Sequence, residues 1–207
     1  LSFAYDKHEV LNNLNLSFHE GIVTTMIGPN GCGKSVFFKT LCGYSLLTEG
    51  QVIYRGKIIG KEQDFIDDAG IVIEEPEFIN SLSGLENLKI LAEIQKKISE
   101  AEIIEVLKQF DLYEDRNKKV GKYSVGMKQK LRLAQAVMEK PQVLILDEPM
   151  NGLDKKSVKK VEDILKAFVE NGGTLLMTSH IEQQVEACCK IVYEIDGGEI
   201  LRVTVLQ

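Results

Sequence analysis

Val23-Thr-Thr-Met-Ile-Gly-Pro-Asn-Gly-Cys-Gly-Lys-Ser-Val-Phe-Phe-Lys-Thr-Leu41 is the stretch that decides the fold. Five strand-favouring residues, Val23–Ile27, lead into a glycine-rich turn. A helical run from Lys34 to Leu41 follows. Gly28-Pro-Asn-Gly-Cys-Gly-Lys-Ser35 matches G-x-x-x-x-G-K-[ST] in the strand–turn–helix context that this pattern requires. The glycines let backbone N–H groups turn inward around phosphate oxygens, and the helix N-terminus adds a favourable dipole. Lys34 would reach the outer phosphates and the Ser35 hydroxyl would ligate Mg²⁺. A chance match in such a chain has odds on the order of 1%, with Gly at its usual abundance. The expected nucleotide contacts are Gly28, Pro29, Asn30, Gly31, Cys32, Gly33, Lys34, Ser35 and Val36.

Val143-Leu-Ile-Leu-Asp-Glu-Pro149 supplies the second half of a phosphate site. Four apolar residues predict a buried strand, and two carboxylates stand where it leaves the sheet. Asp147 is suited to holding Mg²⁺ and Glu148 to polarising an attacking water.

Around these motifs, short strand-like runs alternate with helical ones. Leu14–Phe18, Val52–Tyr54, Ile71–Ile73, Leu175–Thr178 and Ile191–Ile195 read as further strands. Ser83 with Glu86, and Ser99 with Glu102, have capping-box spacing, which predicts helices over 84–97 and 100–110. A third helix is expected from Val125 to Glu139, stopping before Pro141. Val158, Val161, Leu165 and Phe168 mark one face of a fourth, ended by Gly172-Gly173. The late alternation implies a parallel sheet with helices on its faces. The block from about 84 to 139 has no strand and reads as a helical insertion.

Composition narrows the class. The 207 residues are 44% hydrophobic and 27% charged, ordinary for a folded chain. The 25 basic residues are outnumbered by 31 acidic ones, giving −6, which argues against a general nucleic-acid binder. The longest apolar runs are far short of the ~20 residues of a membrane helix. Cys32, Cys42, Cys188 and Cys189 lack zinc-ligand or disulfide-framework spacing, so free thiols in a reducing cytosol are the simplest reading. The chain opens on Leu1, so the native start is expected upstream.

With both halves of the site in hand, the chain resembles the nucleotide-binding subunits of ABC transporters over nearly its whole length. Tyr5 stands like the aromatic that stacks on adenine. Ser124-Val-Gly-Met-Lys-Gln129 stands where the family signature does. Asn151-Gly-Leu-Asp154 resembles the D-loop, and Thr178-Ser-His180 resembles a strand ending at the switch histidine. The usual signature is Leu-Ser-Gly-Gly-Gln. Here Val125 replaces the first Gly and Met127 the Gln, as in variants of a branch similar to bacitracin- and lantibiotic-type exporters.

The resemblance implies an α/β P-loop NTPase core with a mostly parallel sheet, an N-terminal antiparallel β part and a helical subdomain. Residues 1–83 and 140–207 would form the ATP-binding core, and 84–139 the helical subdomain carrying the signature. It implies Mg-dependent ATP hydrolysis with Glu148 and His180 as catalytic groups. Two subunits, identical or paralogous, would pair head to tail and drive a separate membrane permease, as an exporter, on the inner face of the cell membrane. Ser124, Gly126 and Asp154 would then act across the dimer, with Asp154 able to cap its own helix as well. Glu74 aligns with the Q-loop glutamine, which adds it to Ser35 and Asp147 as a metal ligand. As a carboxylate it should favour Mg²⁺ and repel metal-free ATP.

An alternative is a soluble ABC-type ATPase of cofactor assembly, which is also single-domain. A small GTPase is rejected, because Asn117-Lys118 continues as Lys119-Val120 and lacks the base-reading Asp. Cys32 allows two readings. Beside a helix N-terminus and Lys34 its thiol would be activated; turned inward it would be core filler.

Overall fold

A computed structural model of the protein describes residues 3–5, 8–74, 78–179 and 189–206, with side chains from Val10 onward. Its main sheet has six strands: β3 (Val23–Ile27), β6 (Ala69–Val72), β7 (Val143–Leu146), β8 (Thr174–Thr178), β9 (Ile191–Asp196) and β10 (Glu199–Val205). Their spatial order is β10-β9-β3-β8-β7-β6. All neighbours pair in parallel except β10, which closes the edge antiparallel to β9.

All four residues of β7 are buried, because helices cover both faces of the sheet. Leu144 and Leu146 join one core with Leu175, Met177 and the helices α2 (Gly84–Gln95), α3 (Glu100–Gln109), α4 (Val125–Val137) and α5 (Lys155–Glu170). Val143 and Ile145 join the other core with Met26, Leu176 and Phe37 and Phe38 of α1 (Lys34–Cys42). The period-2 alternation of strand side chains thus divides the interior in two. Gly70 of β6 lets α4 lie directly on the sheet: a Cβ there would stand 2.0 Å from the Ala136 carbonyl oxygen.

Two small antiparallel pairs complete the described strands, β1 (Phe3–Tyr5) with β2 (His8–Leu11), and β4 (Ile53–Tyr54) with β5 (Lys57–Ile58). The expected strand over 14–18 does not form. Leu14, Leu16 and Phe18 still turn inward at every second position, and Phe18 meets the rings of Phe37 and Tyr193. The alternation therefore reports which side is buried, without a hydrogen-bonded ladder. The helices agree with their sequence signals to within two residues. Both capping boxes are formed, by Ser83 with Glu86 and by Ser99 with Glu102.

Candidate nucleotide-binding site

Strand order assembles the site. β3 ends at the phosphate loop, β7 ends at Asp147, and β8 runs between them. The last residue of β8, Thr178, is therefore placed beside the acidic pair. Its Oγ1 donates to Asp147 Oδ1 (2.6 Å) and accepts the Glu148 N–H (2.8 Å). Ser35 Oγ donates to the other carboxylate oxygen, Asp147 Oδ2, at 2.5 Å. A continuous polar chain thus joins the phosphate loop, the strand-end carboxylate and the backbone of Glu148. Glu148 has φ 48°, a left-handed conformation that non-glycine residues rarely adopt. Such strain clusters where a side chain must be aimed, as at active sites.

The loop itself is built around Lys34. Its ammonium is buried and donates to the carbonyls of Gly28 (2.8 Å) and Pro29 (3.0 Å). The charge is thereby held inside the curl of the loop. Gly28 is required because a Cβ would come within 2.1 Å of the Ile195 carbonyl oxygen on β9. Gly33 caps α1 at φ 106°, where an L side chain is strained. A cavity of about 210 Å³ opens here, lined by Asn30, Gly31, Gly33–Val36, Asp147, Glu148 and Val10 of β2. A larger cavity, about 670 Å³, lies between residues 14–20 and α1 and contains none of the phosphate-loop residues.

Cys32 does not line the phosphate cavity. The residue is 7% exposed and belongs to the second core, and its N–H donates to the Pro29 carbonyl at 3.4 Å. Burial is what the core-filler reading expects, and the Lys34 ammonium 3.9 Å from the sulfur is what the activated-thiol reading expects. Cys42 and Cys189 are buried as well, and burial pushes the Cys42 thiol up to about 12. Maleimide applied to the native protein should leave Cys32 and Cys42 unmodified by mass spectrometry, and should modify both in denaturant. Rapid native labelling of Cys32, suppressed by Mg-ATP, would show instead that the loop opens.

Glu74 also stands apart from the cavity. Its carboxylate pairs with Lys39 Nζ at 2.5 Å, one turn beyond Ser35 on α1. The lysine offsets the charge that was expected to repel metal-free ATP. Ser124, Gly126 and Asp154 line no part of their own chain's phosphate cavity. Ser124 caps α4, its Oγ accepting the Met127 N–H at 3.2 Å. Asp154 caps α5 through Ser157, and that hydrogen bond holds its carboxyl below the usual range. Val125 is largely exposed and lies over Gly152, whose own Cβ would meet Val125 Cγ1 at 2.8 Å. The backbone of Tyr5 pairs with His8 on the edge hairpin. His180 lies outside the described residues.

Three contributors were not assigned from the sequence. Thr178 was visible only as a strand end. Lys39 lies inside the helical run with no motif of its own to mark it. Gln129, buried on α4, donates Nε2 to the Pro149 carbonyl (2.9 Å) and accepts from Arg132 (3.0 Å). It bolts the signature helix to the turn just after Glu148. The available signal was its place at the end of the signature segment, three residues before Arg132 on the same helix face.

The phosphate loop, the acidic strand end and the capped signature stand in one chain, and residues 11–151 match the ABC transporter family. The chain belongs to that family. It is 34% identical to the lantibiotic transport ATP-binding protein SrtF of Streptococcus pyogenes over 97% of this chain and 86% of that one. It is 32% identical to the bacitracin transport ATP-binding protein BcrA of Enterococcus faecalis over 97% and 66%. Among solved structures, it is similar to the ATP-binding subunit of an ABC transporter, with TM-score 0.89 and 25% identity, over 100% of this chain and 88% of that one. The P-loop α/β fold is that of ABC cassettes, and this is an ABC transporter ATP-binding subunit. No helix among its described residues is long and apolar enough to cross a membrane.

Proposed function

We propose that this subunit hydrolyses Mg-ATP in a head-to-tail dimer and drives a separate membrane permease, as an exporter working from the cytoplasmic face. The observation that carries the chemistry is the polar chain Ser35–Asp147–Thr178–Glu148 at the mouth of the phosphate loop. Lys34 binds the outer phosphates by exchanging its two carbonyl partners for phosphate oxygens. Thr178 fixes the rotamer of Asp147 and the backbone of Glu148 together. Glu148 takes a proton from the attacking water.

The donor set fits Mg²⁺. Ser35 and Asp147 offer hard oxygens side by side, and no cluster of three or more His, Cys, Asp or Glu stands among the described residues. Such a partial shell is the one Mg²⁺ completes with phosphates and water. When bound, the ion neutralises charge on the β- and γ-phosphates. Glu74 would have to leave Lys39 to reach it.

Residues 1–83 with 140–207 form the nucleotide-binding part in this reading, and 84–139 the helical part. Tyr5 stacks on the base, and His180 meets the γ-phosphate. Ser124, Gly126 and Asp154 serve the partner's nucleotide; none of them lines the phosphate cavity of its own chain. Exposed Ile90 and Ile94, one turn apart on α2, leave an apolar strip suited to a cytoplasmic segment of the permease.

If the dimer is the working unit, the ATPase rate per subunit should rise with protein concentration while dimerisation is weak. A rate per subunit that stays constant where sedimentation shows only monomer contradicts the reading. Glu74→Gln should change Mg-ATP turnover less than about tenfold, or ~1.4 kcal/mol of barrier. Its metal-free ATP affinity should stay within about twofold, because Lys39 already offsets the carboxylate. Lys39→Met should weaken metal-free binding more than Glu74→Gln does. Equal affinities in chelator for all three proteins would place the pair away from the phosphates.

A further inference from the structure

The segment that follows Glu74 and the segment that precedes Ser124 are laced together. Asn87, 5% exposed, accepts the Ile79 N–H (2.8 Å) and donates to the carbonyls of Ile79 (3.2 Å) and Ser83 (2.9 Å). Three backbone bonds then cross between the segments: Val120 N–H to the Leu82 carbonyl, Gly121 N–H to that of Asn80, and Leu85 N–H to that of Arg116.

At the end of this lacing stands Tyr123, 7% exposed and immediately before the signature serine. Its hydroxyl donates to the Asp115 carbonyl at 2.9 Å and lies against Gly84, the first residue of α2. Burial pushes the phenol up to about 12, so it remains a donor. Gly84 has no room for a side chain, since a Cβ would lie 2.4 Å from the hydroxyl oxygen. The absence of a side chain here admits the phenol.

We propose that Tyr123 is a positioning residue for ATP hydrolysis, its hydroxyl tying the turn before Ser124 to the start of α2 and so placing Ser124 for the partner's nucleotide. The inference rests on the reading that Ser124 acts across the dimer. The tie gives the signature one firm edge at α2, while Gln129 gives α4 another at Pro149. Two fixed points on different elements define where the N-terminus of α4 can be. Loss of the hydroxyl releases the Asp115 carbonyl, in a half-buried turn, and leaves a gap beside Gly84, so the serine's placement loosens even where the fold persists.

Removing the hydroxyl alone tests this. Tyr123→Phe should bind ATP as a monomer with unchanged affinity, because its own phosphate loop is intact. Its kcat should fall about tenfold with KM within about twofold, and in a Glu148→Gln background its ATP-dependent dimer should weaken about tenfold. Ser124→Ala, run beside it, separates the two levels of inference. If Ser124→Ala weakens the dimer and Tyr123→Phe does not, Tyr123 is not the positioning residue. If neither weakens it, Ser124 does not act across the dimer. A Tyr123→Phe monomer that loses ATP affinity as well would show a general structural role and overturn the proposal. Should that variant fail to fold, Gly84→Ala, which keeps the hydroxyl but displaces it, is read against the same outcomes.

Discussion

Glu148→Gln is expected to bind ATP with near-wild-type affinity, to lose turnover by a factor of about 10²–10⁴, the range of a general base, and to accumulate as an ATP-bound dimer. The amide keeps the size of the side chain but cannot accept the proton of an attacking water. It also leaves the supporting bond untouched, because Thr178 holds residue 148 by its backbone N–H. The affinity should survive for that reason, since neither Lys34 nor the Ser35–Asp147 pair is disturbed. Isothermal titration gives the affinity, phosphate release the rate, and gel filtration with ATP the dimer. Turnover within a few-fold of wild type would transfer the role of base to another group.

Lys34→Ala should act on the other quantity. The ammonium is buried and already stands inside the loop, where phosphate oxygens replace the two carbonyls that hold it. A charge-assisted contact of this kind contributes up to about 3 kcal/mol, which is about a hundredfold in Kd. Stability should change much less, because the two carbonyls that lose their donor belong to a half-buried Gly28 and an exposed Pro29 and can be hydrated. A fluorescent ATP analogue and thermal unfolding report the two effects. Near-wild-type affinity in Lys34→Ala would mean that the loop binds phosphate through its backbone alone.

What the sequence made legible was local. The phosphate loop, the four buried residues of β7 and both capping boxes are each written within about a dozen consecutive residues. What stayed hidden depends on pairing distant segments. Thr178 matters because β8 lies between β3 and β7, and strand order is not encoded in spacing. Lys39 and Glu74 are 35 residues apart, and their pair alters the electrostatic role that Glu74 alone suggested. Leu14–Phe18 shows the converse limit: its alternation marks burial but gives no ladder. Tyr123 likewise meets Gly84 only once distant segments have come together.

The central claim is that each nucleotide is served by the phosphate loop of one subunit and Ser124 of the other. Mixing two inactive variants, Lys34→Ala and Ser124→Arg, tests it most directly. Each homodimer has two defective sites. A mixed dimer concentrates both defects in one site and leaves the other with an intact loop and an intact signature. With random pairing at equal amounts, the mixture should recover about a quarter of wild-type ATPase activity, given two-fold symmetry of the dimer. A mixture no more active than the sum of its two components would place loop and signature in service of the same chain and contradict the account.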